Sequence, residues 1–167
     1  RDILTVSELQ ETEFFLQDIS KDNLEMVKKL LEKDISANGL SAKVLSTTDR
    51  AEALAGAKYV INCSRIGGLE AFRHDIEIPL KYGVDQCVGD TVCAGGILYG
   101  QRSIPAILDF CEDIRSYAET DALFLNYANP MAMNTWAALD FGKVNTIGLC
   151  HGVQGGAKLI AEVLGAE

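Results

Sequence analysis

Short apolar runs alternate with helix-period segments along most of the chain. The opening stretch RDILTVSELQ places Ile3, Leu4, Val6 and Leu9 as in the tail of an amphipathic helix. TEFFLQDIS then reads as a buried strand that ends in an acid, Asp18. KDNLEMVKKLLEKDI carries Leu24, Val27, Leu30 and Leu31 at helical spacing. AKVLSTTD has the β-branched character of a strand, RAEALAGA that of a short helix, and KYVINCS that of a further buried strand turning through RIGG. From Leu69 to Gly95 the pattern is irregular and polar and predicts a long functional loop. GILYGQRSIPAILDFCEDIRSYAE predicts a long helix or helix pair, with Pro105 as a first-turn or kink residue. ALFLNYANP, MAMNTWAALDF, VNTIGLCH and GGAKLIAEVLG follow as strand, helix, strand and helix.

This alternation implies parallel strands joined by crossover helices. The predicted fold class is α/β, a doubly wound Rossmann-like parallel sheet with helices on both faces, spanning residues 1–167. In such a fold a glycine-rich phosphate loop lies about twenty residues before the strand-ending acid. Asp18 is too near Arg1 for that loop to fit, so the first strand and its loop are expected upstream. RDIL and AKLIAEVLGAE both fall within helical pattern, which suggests a piece of a longer chain.

Composition narrows the function. With 167 residues, 48% of them hydrophobic, the chain can build a real core. A formal charge of −9 argues against nucleic-acid and anionic-membrane partners, and no apolar run has the length of a membrane span. The five cysteines (Cys63, Cys87, Cys93, Cys111 and Cys150) form no CxxC pair, so a disulfide framework is not expected and a reducing, cytoplasmic setting is.

Ligands in open α/β sheets bind beyond the carboxyl ends of the strands. The stretch Ala122–Gly156 supplies two such ends, one helix apart: Asn126 and Asn129 after the first, Cys150 and His151 after the second. An asparagine amide offers both a donor and an acceptor, as a substrate alternating between alcohol and ketone requires, although Asn-Pro is also a common turn signal. A cysteine after an apolar strand is often a small buried hydrophobe, yet thiolate and imidazole are both metal ligands. One ligand and one acid/base group is the better division of this pair. Asp18 suits the ribose hydroxyls of NAD and disfavours the 2′-phosphate of NADP; its alternative is helix capping. Ser64 and Arg65 begin the turn of SRIGG, where backbone approaches a cofactor, and Asn126 joins them on the cofactor side. Asp90 would bind sugar hydroxyls or cap the next helix. Arg102 would pair with a substrate oxygen or lie on a helix surface.

LNYANPMAMNTWA followed by GLCHGVQGG closely resembles glycoside hydrolase family 4, in its α-galactosidase and α-glucosidase branch. FFLQDIS, IGGLEAFRHDIEIPLKYG and GGILYGQRSIPAI extend the resemblance over nearly the whole chain. It implies a fold like that of lactate and malate dehydrogenases and a hydrolysis outside the usual two-carboxylate scheme. NAD+ takes hydride from C3 of the sugar, a divalent metal, usually manganese, stabilises the enediolate formed on loss of the C2 proton, and the C1–O bond breaks by elimination. Water then adds, and NADH returns the hydride. The resemblance implies Cys150 as metal ligand, His151 as the acid that protonates the leaving group, Asn129 on the reacting hydroxyls, Asp90 near the substrate, Asp18 on the ribose, and Ser64 and Arg65 along the cofactor. Cys93-Ala94 stands where relatives have Gly-Pro, which is expected to alter the loop. The second metal ligand, the C2 base and a C-terminal substrate and oligomerisation domain are expected beyond Glu167, so the 167 residues alone are expected to be inactive and the whole protein a dimer or tetramer. An unphosphorylated α-galactoside is the first expected substrate, with α-glucoside and α-galacturonide behind it. The competing readings are an NAD-dependent 2-hydroxy-acid dehydrogenase and a non-catalytic nucleotide-binding domain.

Overall fold

The computed structural model describes residues 2–86 and 89–166; Arg1, Cys87, Val88 and Glu167, and with them the expectation for the Cys87 thiol, lie outside the described residues. The chain forms two compact units, Arg1–Ala57 and Lys58–Glu167.

In the first unit the opening residues form two 3₁₀ turns, Asp2–Thr5 and Ser7–Leu9, in place of the expected amphipathic helix tail. Only Leu4 of their apolar residues is buried, so no continuous apolar face exists to hold a longer helix. Strand β1 (Glu13–Gln17) pairs in parallel with β2 (Lys43–Thr47), from Glu13 opposite Lys43 to Gln17 opposite Thr47. β1 is half-buried rather than fully buried as expected. Helix α1 (Lys21–Ala37) crosses between them. Its start is doubly capped: Ser20 Oγ accepts from Asn23 N at 3.3 Å, and Asp18 Oδ1 accepts from Ser20 N at 2.8 Å. Short helix α2 (Arg50–Leu54) starts at Asp49, whose Oδ1 accepts from Ala51 N at 2.8 Å.

Among its described residues the second unit has three parallel strands in sequence order, β3 (Tyr59–Asn62), β4 (Leu123–Asn126) and β5 (Thr146–Gly148). The register aligns Asn62 with Asn126 and Asn126 with Gly148, so three strand ends stand side by side. One face is sealed: Phe124 of β4 and Ile107 and Cys111 of α4 (Ala94–Tyr117) are almost inaccessible, as is Ala138 of α5 (Met131–Asp140). On the other face Tyr59, Ile61 and Ile147 remain exposed among the described residues. The last helix, α6 (His151–Leu164), buries none of its residues.

The class is α/β, with parallel strands flanked by helices, but the described strands form two separate ladders rather than one sheet. The expected loop from Leu69 to Gly95 is largely helix α3 (Gly68–Lys81). α4 is a single helix running through Pro105. Among the described residues no helix is long and apolar enough to cross a membrane.

Candidate functional site

At the end of β4 the chain turns through Tyr127-Ala128-Asn129 and a cis Asn129–Pro130 bond before entering α5. Asn126, the last strand residue, is fully buried. Its Oδ1 accepts from Asn62 Nδ2 at 2.9 Å and from Ala128 N at 3.3 Å, and its Nδ2 donates to Ala128 O at 3.1 Å. Asn62 Oδ1 in turn accepts from Ser64 N at 3.1 Å and Ser64 Oγ at 2.7 Å. Two strand-end amides thus brace both the Ser64 turn and the Asn129 turn. This corrects the assignment of Asn126 to cofactor contact, because its amide is inaccessible and both its ends are occupied by protein. Asn62 was missed by sequence reasoning, although it carries the signal that singled out Asn126, a polar residue closing a buried strand.

Asn129 itself is exposed and held. Its Nδ2 donates to Asp90 Oδ2 at 3.1 Å, while Asp90 Oδ1 lies 3.5 Å from an Arg65 guanidinium nitrogen. Asp90 does not cap the next helix. That place is taken by Cys93, whose Sγ accepts from Gly96 N at 3.4 Å and donates to Gly89 O at 2.8 Å. The Cys93-Ala94 departure therefore starts α4 with a thiol cap. Arg65, Asp90 and Asn129 form one charged and polar cluster at the ends of β3 and β4.

Arg102, expected at a substrate oxygen or on a helix surface, is part-buried and bonded within the protein. Its Nε donates to Ile66 O at 2.9 Å, and its two terminal nitrogens donate to the two oxygens of Asp75 at 3.0 and 2.7 Å. These bonds engage three of its five N–H donors within the protein and raise the Arg102 pKa, mainly through the Asp75 carboxylate.

At the end of β5, Leu149 N donates to Asn126 O at 2.9 Å, which extends the ladder to the brink of Cys150. Cys150 is the N-cap residue of α6 and His151 its first residue. Both are exposed, and Cys150 makes no side-chain capping bond. The helix begins four residues earlier than the pattern GGAKLIAEVLG suggested. Cys63, Cys93, Cys111 and Cys150 are free thiols. Among the described residues no group of three or more His, Cys, Asp or Glu could hold a metal ion. Cys150 is thus at most one ligand of a set that these residues do not complete.

In the first unit, Asp18 follows β1 at the carboxyl end of a parallel strand. One oxygen accepts from Ser20 N, and the other has no partner among the described residues. Nearby residues of α1 and β2, among them Lys21, Leu24, Lys28 and Thr47, line a shallow depression that does not include Asp18.

The model of the family 4 glycosyl hydrolases matches residues 1–166. The chain is 67% identical over 166 residues to an α-galactosidase of Rhizobium meliloti, covering 99% of this chain and 34% of that protein. It is 40% identical to an α-galactosidase of Bacillus subtilis over 99% of this chain and 38% of that protein. The 6-phospho-β-glucosidase of Thermotoga maritima, solved with manganese, NAD+ and glucose-6-phosphate, is similar at 27% identity and a TM-score of 0.81, over 99% of this chain and 39% of that one. The chain spans about a third of the length of the curated relatives it matches.

Proposed function

The chain belongs to family 4 of the glycosyl hydrolases, and on that premise we propose that it is the nucleotide-binding part of an NAD- and divalent-metal-dependent α-galactosidase. The observation that carries the reading is the pair of adjacent strand ends, one presenting Asn129 held by Asp90 and the other presenting Cys150 and His151. The 67% identity to an α-galactosidase supports the galactoside over the glucoside and the galacturonide, whose enzymes match at lower identity.

NAD+, when bound, takes hydride from C3 of the sugar and returns it at the end of each turnover. Asp18 accepts hydrogen bonds from its ribose hydroxyls, and the Ser64–Arg65 turn lines its path. Asn129 holds the reacting hydroxyls. With its Nδ2 tied to Asp90, its Oδ1 serves as the acceptor for an alcohol O–H. Asp90 keeps that amide in one orientation and adds a second acceptor near the sugar. His151 protonates the departing oxygen of the aglycone. Cys150 is the ligand this chain offers a divalent ion; the described residues gather no set of three or more that would complete its site. The free thiols support a reducing compartment such as the cytoplasm, and the family reading supports a homo-oligomer of the whole protein.

The test is release of nitrophenol from nitrophenyl α-galactoside by the full-length protein that carries this chain. Activity is expected with NAD+, Mn2+ and a reductant together and lost when either NAD+ or the metal is removed. Undiminished hydrolysis after removal of both contradicts the reading.

A further inference from the structure

We infer that Asp75, Tyr99 and Arg102 are positioning residues that set the Asp90–Asn129 pair through Arg65. The inference rests on the proposed role of Asn129 at the sugar.

The chain of contacts starts in the interior. Asp75 is 4% exposed, and an isolated carboxylate at such a place is costly. Arg102 meets it with two hydrogen bonds and ties α3 to α4. The third donor of Arg102 reaches Ile66 O, in the turn that follows Arg65. Gly67 makes this possible: its φ is +85°, and a Cβ there would lie 2.9 Å from Arg102 Nε and 2.5 Å from Ala71 Cβ. The Arg102 guanidinium also lies 5.0 Å from the centroid of the buried Tyr99 ring. That ring is 5.1 Å from the Arg65 guanidinium, which stacks at 4.4 Å on Phe72 as well. Arg65 is thus held through the neighbouring Ile66 carbonyl and over two aromatic rings before it reaches Asp90, and Asp90 holds Asn129. Two cations and two carboxylates balance within the cluster.

Stability alone does not call for such an arrangement, since a buried ion pair often does no better than apolar side chains of the same volume. A stabilising role would need the Asp75–Arg102 pair and nothing more. The contacts instead continue outward, pair by pair, to an exposed amide at a strand end. A satisfied polar network of this kind limits side-chain freedom, and misplacing a substrate-holding group by about 1 Å costs up to about a hundredfold in rate.

The experiment measures kcat/KM for nitrophenyl α-galactoside in the full-length protein with saturating NAD+ and Mn2+. Arg102→Lys and Tyr99→Leu are each expected to lower kcat/KM about 10–100-fold, whereas Tyr99→Phe, which keeps the ring, is expected to stay near wild type. In an Arg65→Ala background the link is already cut, so Arg102→Lys is expected to cost no more than about threefold further. Equal losses from Arg102→Lys in the two backgrounds overturn the inference, as does a Tyr99→Phe variant as impaired as Tyr99→Leu. Crystal structures of Arg102→Lys and Tyr99→Leu give a readout independent of turnover: Arg65 is expected to leave Asp90. If Arg65 remains 3.5 Å from Asp90 in both, the inference fails even where the rates fall. If the wild-type protein has no NAD-dependent glycosidase activity, the proposed function fails, and these structures still decide the positioning chain.

Discussion

The two adjacent strand ends of the second unit are built in opposite ways. Beyond β4, Asn129 is the tip of a network that passes through Asp90 and Arg65 and is anchored below by Asn62 and Asn126. Beyond β5, Cys150 and His151 stand exposed at the start of a helix that buries none of its residues. One end is set before any ligand arrives. The other has its backbone placed by the ladder while its side chains are left to whatever binds them. The difference matches the work proposed for each. A hydroxyl-holding amide gains from being fixed in advance, whereas a thiol that joins a metal takes its final geometry from the metal and the other ligands.

Cys150→Ala in the full-length protein should show the largest effect. Loss of the proposed metal ligand is expected to lower kcat by at least about a hundredfold while the affinity for NAD+, read by titration calorimetry, stays unchanged. Asn129→Ala should come next, with kcat/KM down about 10–100-fold and metal affinity retained; equal damage to metal binding would merge the two ends that the structure separates. Asn126→Ala acts on the brace beneath both turns, and its effect should fall on stability, by about 2–4 kcal/mol in thermal or urea unfolding. Weaker NAD+ binding with unchanged stability would instead return Asn126 to the cofactor.

The smallest effect contrasts two thiols. Burial pushes Cys111 up to about 11. Its folded pKa lies above its unfolded value, so the stability it contributes is complete below about pH 8.5 and declines as pH rises toward 11. Unfolding followed across that range should show the decline. Iodoacetamide should label Cys150 in the native protein and Cys111 only after unfolding; labelling of both at similar rates contradicts the contrast.

Much of this was legible in the sequence, because hydrophobic pattern specifies where strands and helices run. The ends of β3, β4 and β5 follow from apolar runs closed by Asn, Asn and Gly-Leu-Cys-His. Helix α3 was not legible, because its buried residues are Asp75 and Pro79 rather than an apolar stripe. Pairing was not legible either: nothing in FFLQ or YVIN says that the strands divide into two ladders. The partners of Arg102 were not legible for a related reason. An arginine with a built-in partner and one without look alike in sequence until a carboxylate twenty-seven residues away is brought against it. Asp90 and Asn129 were each singled out by the chemistry of their side chains, but their contact spans thirty-nine residues and only the fold supplies it.

The most direct test of the account is a balance of redox against hydrolysis. The full-length protein is given NAD+, Mn2+ and an excess of nitrophenyl α-galactoside, and nitrophenol and NADH are measured in one reaction. The account predicts many equivalents of nitrophenol per NAD+ with no net accumulation of NADH, since the hydride taken at C3 is returned in each cycle. NADH rising in proportion to the substrate consumed, as in a dehydrogenase, would contradict it.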